Sequence, residues 1–167
     1  MARKHQILSH LGGVGGMLED RGRIIEFVQT PDLTLADPAT WTVAAHALFT
    51  ATGRVLVHAL FAVVDTLIVS TSNNGVIEIG VASDTDILLG QLTAGAGTLA
   101  AGDILSGSPT AGHLAAAGVI DNTPVALEDI DIDLKVSTNA VTAGQMTVYA
   151  IWEPISDDGD LVAATWD

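Results

Sequence analysis

The chain has 167 residues, which is enough for one domain with its own hydrophobic core. It contains no cysteine, which excludes disulfides and thiolate metal sites, and its net charge of −14 makes binding of its body to nucleic acid unfavourable. Apolar residues make up 49% of the chain but aromatic residues only 4%, so small and β-branched side chains dominate and favour strands over helix bundles.

Residues 1–23 are predicted to form an extended N-terminal arm, because Gly12, Gly13, Gly15 and Gly16 oppose regular structure. The arm carries four of the six basic residues of the chain, and residues 5–11 offer at most one short amphipathic helical turn. We predict that the arm contacts a shell or a neighbouring protomer, with solubilising charge as the simpler alternative. The predicted contact residues are Arg3, Lys4, Ile7, Leu8, Leu11, Arg21 and Arg23.

Residues 24–167 are predicted to form the folded domain. Residues 24–28 are typical of a short strand, whereas residues 40–49 fit either a short helix capped by Thr40 or an extended segment. Residues 55–64 are predicted to form a strand whose two faces are both apolar, with Val57 on one face and Leu60 on the other. Such a strand is usually covered on both sides, and we expect a neighbouring subunit of a homotrimer to be the second cover. This run is too short to span a membrane.

Two hairpins are predicted from turn signals and alternation. Asn73-Asn74-Gly75 lies between two apolar runs, 67–72 and 76–81, and Asn-Gly is a strong hairpin signal. Residues 129–136 alternate strictly, with Ile130, Ile132, Leu134 and Val136 on the buried side, and residues 146–152 are expected to return as the partner strand. Short strands joined by loops are expected between residues 82 and 126. The fold class is therefore all-β, a jelly-roll-like antiparallel β-sandwich.

Three stretches carry a resemblance to a known group of proteins. They are VLVHALFAVVDTLIVSTSNNGVIEIG, its sequel GVASDTDILLGQL, and DIDLKVSTNAVTAGQMTVYAIWEPI near the C-terminus. Residues 54–155 resemble small phage virion proteins with a jelly-roll core, the capsid decoration or cement proteins. The resemblance implies a protein that binds the major capsid protein on the outer capsid surface of a virion, often as a trimer, and it implies no catalytic residues. The arm lies outside the shared pattern.

No motif for catalysis or for a cofactor is found in the sequence. The five histidines have no metal-ligand spacing, so His58 is interpreted as a core or interface residue, and no Gly-x-Ser-x-Gly is present. Three groups of aspartates are either calcium ligands or ordinary turn and surface residues. They lie at positions 84 and 86, at 129, 131 and 133, and at 157, 158 and 160. The second interpretation explains each group with fewer assumptions.

The sequence therefore predicts a structural, non-enzymatic virion protein that binds neither nucleic acid nor membrane. Three alternatives remain. The chain is another virion component, such as a head fibre base, a tail protein or a minor capsid protein. It is a carbohydrate-binding jelly roll that uses Trp41, Trp152 or Trp166. Or it is an enzyme on a cupin-like scaffold, which the absence of a His-x-His pair disfavours.

Overall fold

The computed structural model describes residues 25–30, 42–95, 98–107 and 123–164, and also the backbone of residues 33–34 and 112–114. The predicted arm and its seven contact residues lie outside these ranges. The strands are β1 (Glu26–Gln29), β2 (Leu33–Thr34), β3 (Ala45–Thr52), β4 (Arg54–Ser70), β5 (Gly75–Val81), β6 (Asp84–Ala94), β7 (Ile104–Ser106), β8 (Gly112–Leu114), β9 (Val125–Glu128), β10 (Ile132–Ser137), β11 (Val141–Pro154) and β12 (Asp160–Ala163).

The strands form two antiparallel sheets. The first has the order β1-β11-β4-β7-β8, with β2 also paired to β11 and β9 also paired to β4. The second has the order β12-β3-β10-β5-β6. Most connections between consecutive strands cross from one sheet to the other, as in jelly-roll-like sandwiches. The predicted all-β class is confirmed, and the open choice for residues 40–49 is settled from Ala45 onward, where the chain is a strand.

The core lies between the sheets and is mainly aliphatic. Leu60 and Ala62 on β4 and Val148 on β11 point into it from the first sheet, and Ile79 on β5 and Leu134 on β10 from the second, all fully buried. Burying side chains of this kind stabilises a fold by roughly 25 cal/mol per Å² of apolar surface. The alternation predicted for residues 132–136 is confirmed, but Ile130 lies before the strand and is 41% exposed.

A bulge in β4 corrects the predicted faces of this strand. Val57 pairs with Trp152 and Ala59 pairs with Ile151, so His58 is left without a partner residue on β11. The extra residue shifts the alternation by one position. Val57 and Leu60 therefore both point into the core, although the prediction placed them on opposite faces. The outward residues of the strand are only half-buried, as at Phe61 and Val63.

Both predicted hairpins are wrong, because in each case the two strands belong to different sheets. In the first case, β4 pairs with β11 in the first sheet, whereas β5 pairs with β6 and β10 in the second sheet. In the second case, β10 pairs with β3 and β5 in the second sheet, whereas β11 pairs with β4 in the first sheet. The turn after β4 has its positive φ angles at Ser72 and Asn73 rather than at Asn74 and Gly75. This turn is a corner that carries the chain from one sheet to the other.

Hydrogen bonds of one side chain hold this corner together. The buried Ser70 hydroxyl donates to the carbonyl of Ala94 and accepts from the backbone N–H of Gly75 at 2.7 Å. Thr71 donates its N–H to the carbonyl of Ala140 at 3.0 Å, which joins the corner to the connection between β10 and β11. The ends of both sheets are thereby fixed against each other.

Candidate functional site: the outer face of the first sheet

Three strands that are distant in the sequence lie side by side in the first sheet. β11 is in the middle, with β1 on one side and β4 on the other. Tyr149 pairs with Phe61 on β4, and Ile151 pairs with Phe27 on β1 and with Ala59 on β4. Since their sequence neighbours Leu60, Val148 and Ala150 fill the core, these residues project from the outer surface of the sheet.

The aromatic rings on this surface form one continuous row. Tyr149 lies between the two phenylalanines, with ring centroids 5.5 Å from Phe27 and 5.0 Å from Phe61. The second pair is stacked, with an interplanar angle of 13°. Such pairs add about 0.5–1.5 kcal/mol beyond their burial. We call the surface formed by Ile25, Phe27, Phe61, Tyr149 and Ile151 the aromatic face.

The edge of the aromatic face is the most exposed apolar surface on the described part of the chain. Ile25 is 62% exposed and Phe27 is 58% exposed, whereas Phe61, Tyr149 and Ile151 are half-buried. Single exposed apolar residues are common on any protein, but a contiguous group that includes stacked rings indicates a contact surface.

The strand that carries Phe27 is fixed by Thr30. Thr30 is 1% exposed, its N–H donates to the carbonyl of Val148 at 2.9 Å, and its hydroxyl oxygen accepts from the N–H of Val148 at 3.0 Å. The first bond continues the antiparallel ladder of β1 and β11 past the end of β1, and the second is a side-chain bond that closes it. Phe27 is therefore held in place against Tyr149.

Polar groups lie at the border of the aromatic face and are largely buried. Glu153 is 2% exposed, and its carboxylate lies 3.4 Å from Nε2 of His58 at the bulge. At the other end of β11, the Thr147 hydroxyl donates to Asp65 at 3.0 Å. The position of His58 fits its interpretation as a core or interface histidine. Sequence reasoning gave no sign that Glu153 would be its neighbour.

The outer surface of the second sheet has a different character. Glu78 and Lys135 are paired across β5 and β10, and Glu78, which is only 5% exposed, accepts a hydrogen bond from the Thr85 hydroxyl at 2.8 Å. Burial raises the pKa of Asp133 above its ordinary value, and the nearby carboxylate of Asp131 raises it further. Val162 on β12, which is 48% exposed, and Val43 just before β3, which is 55% exposed, are large apolar residues of this sheet. The two sheets thus differ, because only the first has stacked aromatic rings on its outer surface among the described residues.

Several of the carboxylates considered as calcium ligands make local contacts within the chain. A hydrogen bond from Asp86 raises the pKa of Asp84, as expected where two carboxyl groups share a proton. Asp129 has a φ of 52° and accepts the N–H of Gly53 at 2.7 Å, and a hydrogen bond with Ser156 lowers the pKa of Asp158. Within the described ranges, no three His, Asp or Glu side chains are grouped as a metal site.

Of the three tryptophans considered for sugar binding, the structure describes one. Trp152 is 3% exposed and pairs with Val57 on the strand that lines the core, and Trp41 and Trp166 lie outside the described ranges. A shallow pocket of about 160 Å³ lies beside the exposed ion pair of Arg54 and Glu128. Ligand pockets usually measure about 300–1,000 Å³.

Comparison with known proteins identifies no relative: no family model, no curated protein and no solved structure matches the chain. No helix among the described residues is long and apolar enough to cross a membrane.

The sequence does not show the aromatic face as a unit. It places Phe61 in a strand that is apolar on both sides and Tyr149 in a return strand, with no sign that the two share a surface. The pairing of β1 with β11, which brings Phe27 beside them, leaves no signal in a single sequence. The one signal in the sequence is the low aromatic content of 4%, because with only seven aromatic residues the position of each is informative about surfaces.

Proposed function

We propose that this chain is a structural virion protein, a capsid decoration or cement protein that binds the major capsid protein on the outer surface of a phage shell and stabilises the particle. The observation that carries the proposal is the aromatic face, an exposed apolar surface with stacked rings on the first sheet. The sequence resemblance of residues 54–155 to such proteins supplies the specific class.

The stabilising mechanism is linkage between binding and assembly. A protein that binds the assembled shell but not its dissociated subunits favours the assembled state by RT ln(1 + [L]/Kd), about 2.7 kcal/mol per site when its concentration is a hundred times the Kd. Many sites on one shell multiply this effect. This mechanism requires a surface complementary to the shell and no reacting group.

The seven arm residues keep their place in this proposal as shell contacts. Arg3, Lys4, Arg21 and Arg23 give the arm the sign of charge that the body lacks, and Ile7, Leu8 and Leu11 give it apolar anchors. Basic side chains next to an acidic shell surface would increase the rate of association and make binding sensitive to salt.

Co-sedimentation with empty shells tests the proposal. Shells are assembled from the major capsid protein of the phage that encodes this chain, mixed with the purified protein and pelleted. We expect saturable binding at a fixed ratio to the shell protein, and a higher temperature of shell disruption in the bound sample. Shells of an unrelated phage are the control. If the chain stays in the supernatant at saturating concentration, the proposal is wrong.

A glycan array distinguishes the carbohydrate-binding alternative. The burial of Trp152 removes one of the three tryptophans considered for that role, so we expect no glycan to bind. Localisation of bound protein on the particle by electron microscopy separates a decoration protein from a fibre base or a tail component, because only the former covers the shell lattice.

A further inference from the structure

We infer that Asn74 is a covalent modification site, where the corner between β4 and β5 holds back the spontaneous conversion of asparagine to aspartate and isoaspartate. Asn74 precedes Gly75, and no other asparagine of the chain precedes a glycine. Asparagine is a thermally labile residue, and a following glycine hinders its conversion least because glycine has no Cβ. The site is independent of the proposed function.

The reaction needs only these two residues and water. The backbone nitrogen of Gly75 attacks Cγ of Asn74 and forms a new C–N bond. The bond between Cγ and Nδ2 breaks, and Nδ2 leaves as ammonia with the proton that the Gly75 amide has lost. Water then opens the resulting succinimide ring. Opening at Cγ gives aspartate, whereas opening at the backbone carbonyl gives isoaspartate, in which the chain runs through Cβ and Cγ.

The backbone conformation of Asn74 keeps the reacting atoms apart. Its φ is −139° and its ψ is 19°. At this ψ the Gly75 nitrogen nearly eclipses the backbone nitrogen of Asn74 and is turned away from Cβ, whereas ring closure requires the nitrogen on the same side as Cβ. Rotation of the side chain alone does not bring Cγ to the nitrogen. The reaction therefore requires the backbone of the corner to rotate.

Hydrogen bonds on both sides of Asn74 oppose that rotation. Gly75 is buried, and its N–H donates to Oγ of Ser70 at 2.7 Å while the Ser70 hydroxyl donates to the carbonyl of Ala94. The carboxamide oxygen of Asn74 accepts a hydrogen bond from Nδ2 of Asn139. A buried, hydrogen-bonded N–H is also shielded from the base in water that must remove its proton. The closed corner thus protects Asn74.

The fold requires the glycine that makes the site reactive. A Cβ at residue 75 would lie 2.6 Å from Cβ of Ser70 and 2.7 Å from the carbonyl oxygen of Asn139, which is closer than real Cβ atoms approach their neighbours. A bulkier residue, which would slow the reaction, therefore does not fit. The product does not fit either, because isoaspartate lengthens the backbone by one carbon atom. Conversion should break the bond between Gly75 and Ser70 and open the corner that fixes the two sheets.

Peptide mapping by mass spectrometry measures the conversion during incubation at neutral pH. The full-length folded chain is compared with the same chain in denaturing urea. We expect slow conversion in the folded chain and fast conversion in urea, at Asn74 in both cases. Asn73 is an internal control, because it is also exposed in this turn but precedes a residue with a side chain. It should remain largely unconverted.

Two substitutions separate the corner from global stability. Ser70→Ala should make the folded chain convert roughly tenfold faster, because the buried N–H of Gly75 loses its acceptor and the corner opens more often. Thr30→Val is the matched control, because it removes a hydroxyl acceptor from another backbone N–H, that of Val148, away from the corner. This variant should convert at the wild-type rate. Circular dichroism checks that both variants are folded.

Three results would overturn the inference: conversion in the folded wild type as fast as in urea, no conversion of Asn74 in urea, or a rate for Ser70→Ala that does not exceed the rate for Thr30→Val. If Ser70→Ala does not fold, hydrogen exchange of the wild-type chain takes its place. The same opening exposes the Gly75 amide to exchange and to reaction, so a rapidly exchanging Gly75 amide would also contradict the inference.

Discussion

The bulge at His58 predicts which residues of β4 contribute most to stability. Leu60 lies two residues after the bulge and is 0% exposed, in a strand flanked by β11 on one side and by β7 and β9 on the other. Leu67 lies on the same strand and is 42% exposed. Replacing each with alanine removes the same atoms from a buried and from an exposed position, so the pair is matched.

The expected losses of stability differ severalfold. A buried leucine changed to alanine costs about 2–5 kcal/mol, because apolar transfer energy is lost and a cavity remains. An exposed substitution away from special features stays within about 0.5 kcal/mol. For a chain of this length 1 kcal/mol shifts the Tm by about 2–4 °C, so Leu60→Ala should lower the Tm by roughly 5–15 °C and Leu67→Ala by about 2 °C at most.

Urea and thermal unfolding followed by circular dichroism measure both variants, and Val57→Ala tests the bulge itself. Val57 and Leu60 are three positions apart, so in a regular strand they would face opposite sides and only one would belong to the core. Here both are 0% exposed, and both substitutions should destabilise the fold. Equal losses for Leu60→Ala and Leu67→Ala, or a negligible loss for Val57→Ala, would refute the described register of β4.

Three further outcomes are expected. Gly144→Ala should lower the free energy of unfolding by about 1–3 kcal/mol in urea titrations, because φ is +128° and the added Cβ would lie 2.7 Å from Cα of Ile68; Ala143→Gly on the same strand is the control. Thr30→Val should cost about 1–3 kcal/mol by leaving the N–H of Val148 without its acceptor, whereas Thr30→Ser should retain most of the stability. For Asp133, burial makes the folded state bind a proton more tightly than the unfolded state, so the pKa is raised and stability should increase as the pH falls through the raised pKa towards 3.8. Asp133→Asn should therefore have a higher Tm than the wild type at neutral pH, and a difference that does not shrink on acidification would contradict the assignment.

The fold class was predictable because it depends on local patterns. β-branched and small residues, strict alternation in residues 132–136 and repeated turn signals all favour strands, whichever strands pair with each other. The pairing was not predictable in the same way. Asn73-Asn74-Gly75 marks a reversal of the chain, but the sequence does not say whether the next strand joins the same sheet or crosses to the other. The hydroxyl of Ser70, which bonds both Ala94 and Gly75, helps to hold that crossing in place.

The faces of β4 were mispredicted for a related reason. A bulge adds one residue without changing the composition of a strand, and an apolar run on both faces conceals the change of phase at His58. In β10, where charged residues alternate with apolar ones, the phase was visible and was predicted correctly from residue 132 onward. The inward and outward faces of a strand can be told apart in the sequence only when one face is polar and the other apolar, and in β4 both faces are apolar.

The distribution of aromatic residues links the fold to the proposed contact. The chain has seven aromatic residues, of which Phe49 and Trp152 are buried in the core. Phe27, Phe61 and Tyr149 come from three separate strands and meet on the outer surface of the first sheet, where folding of the single chain leaves them partly exposed. The aliphatic core does not need these rings, and polar residues at the same positions would make the isolated chain more soluble. Their stacking outside the core is explained if another surface covers them.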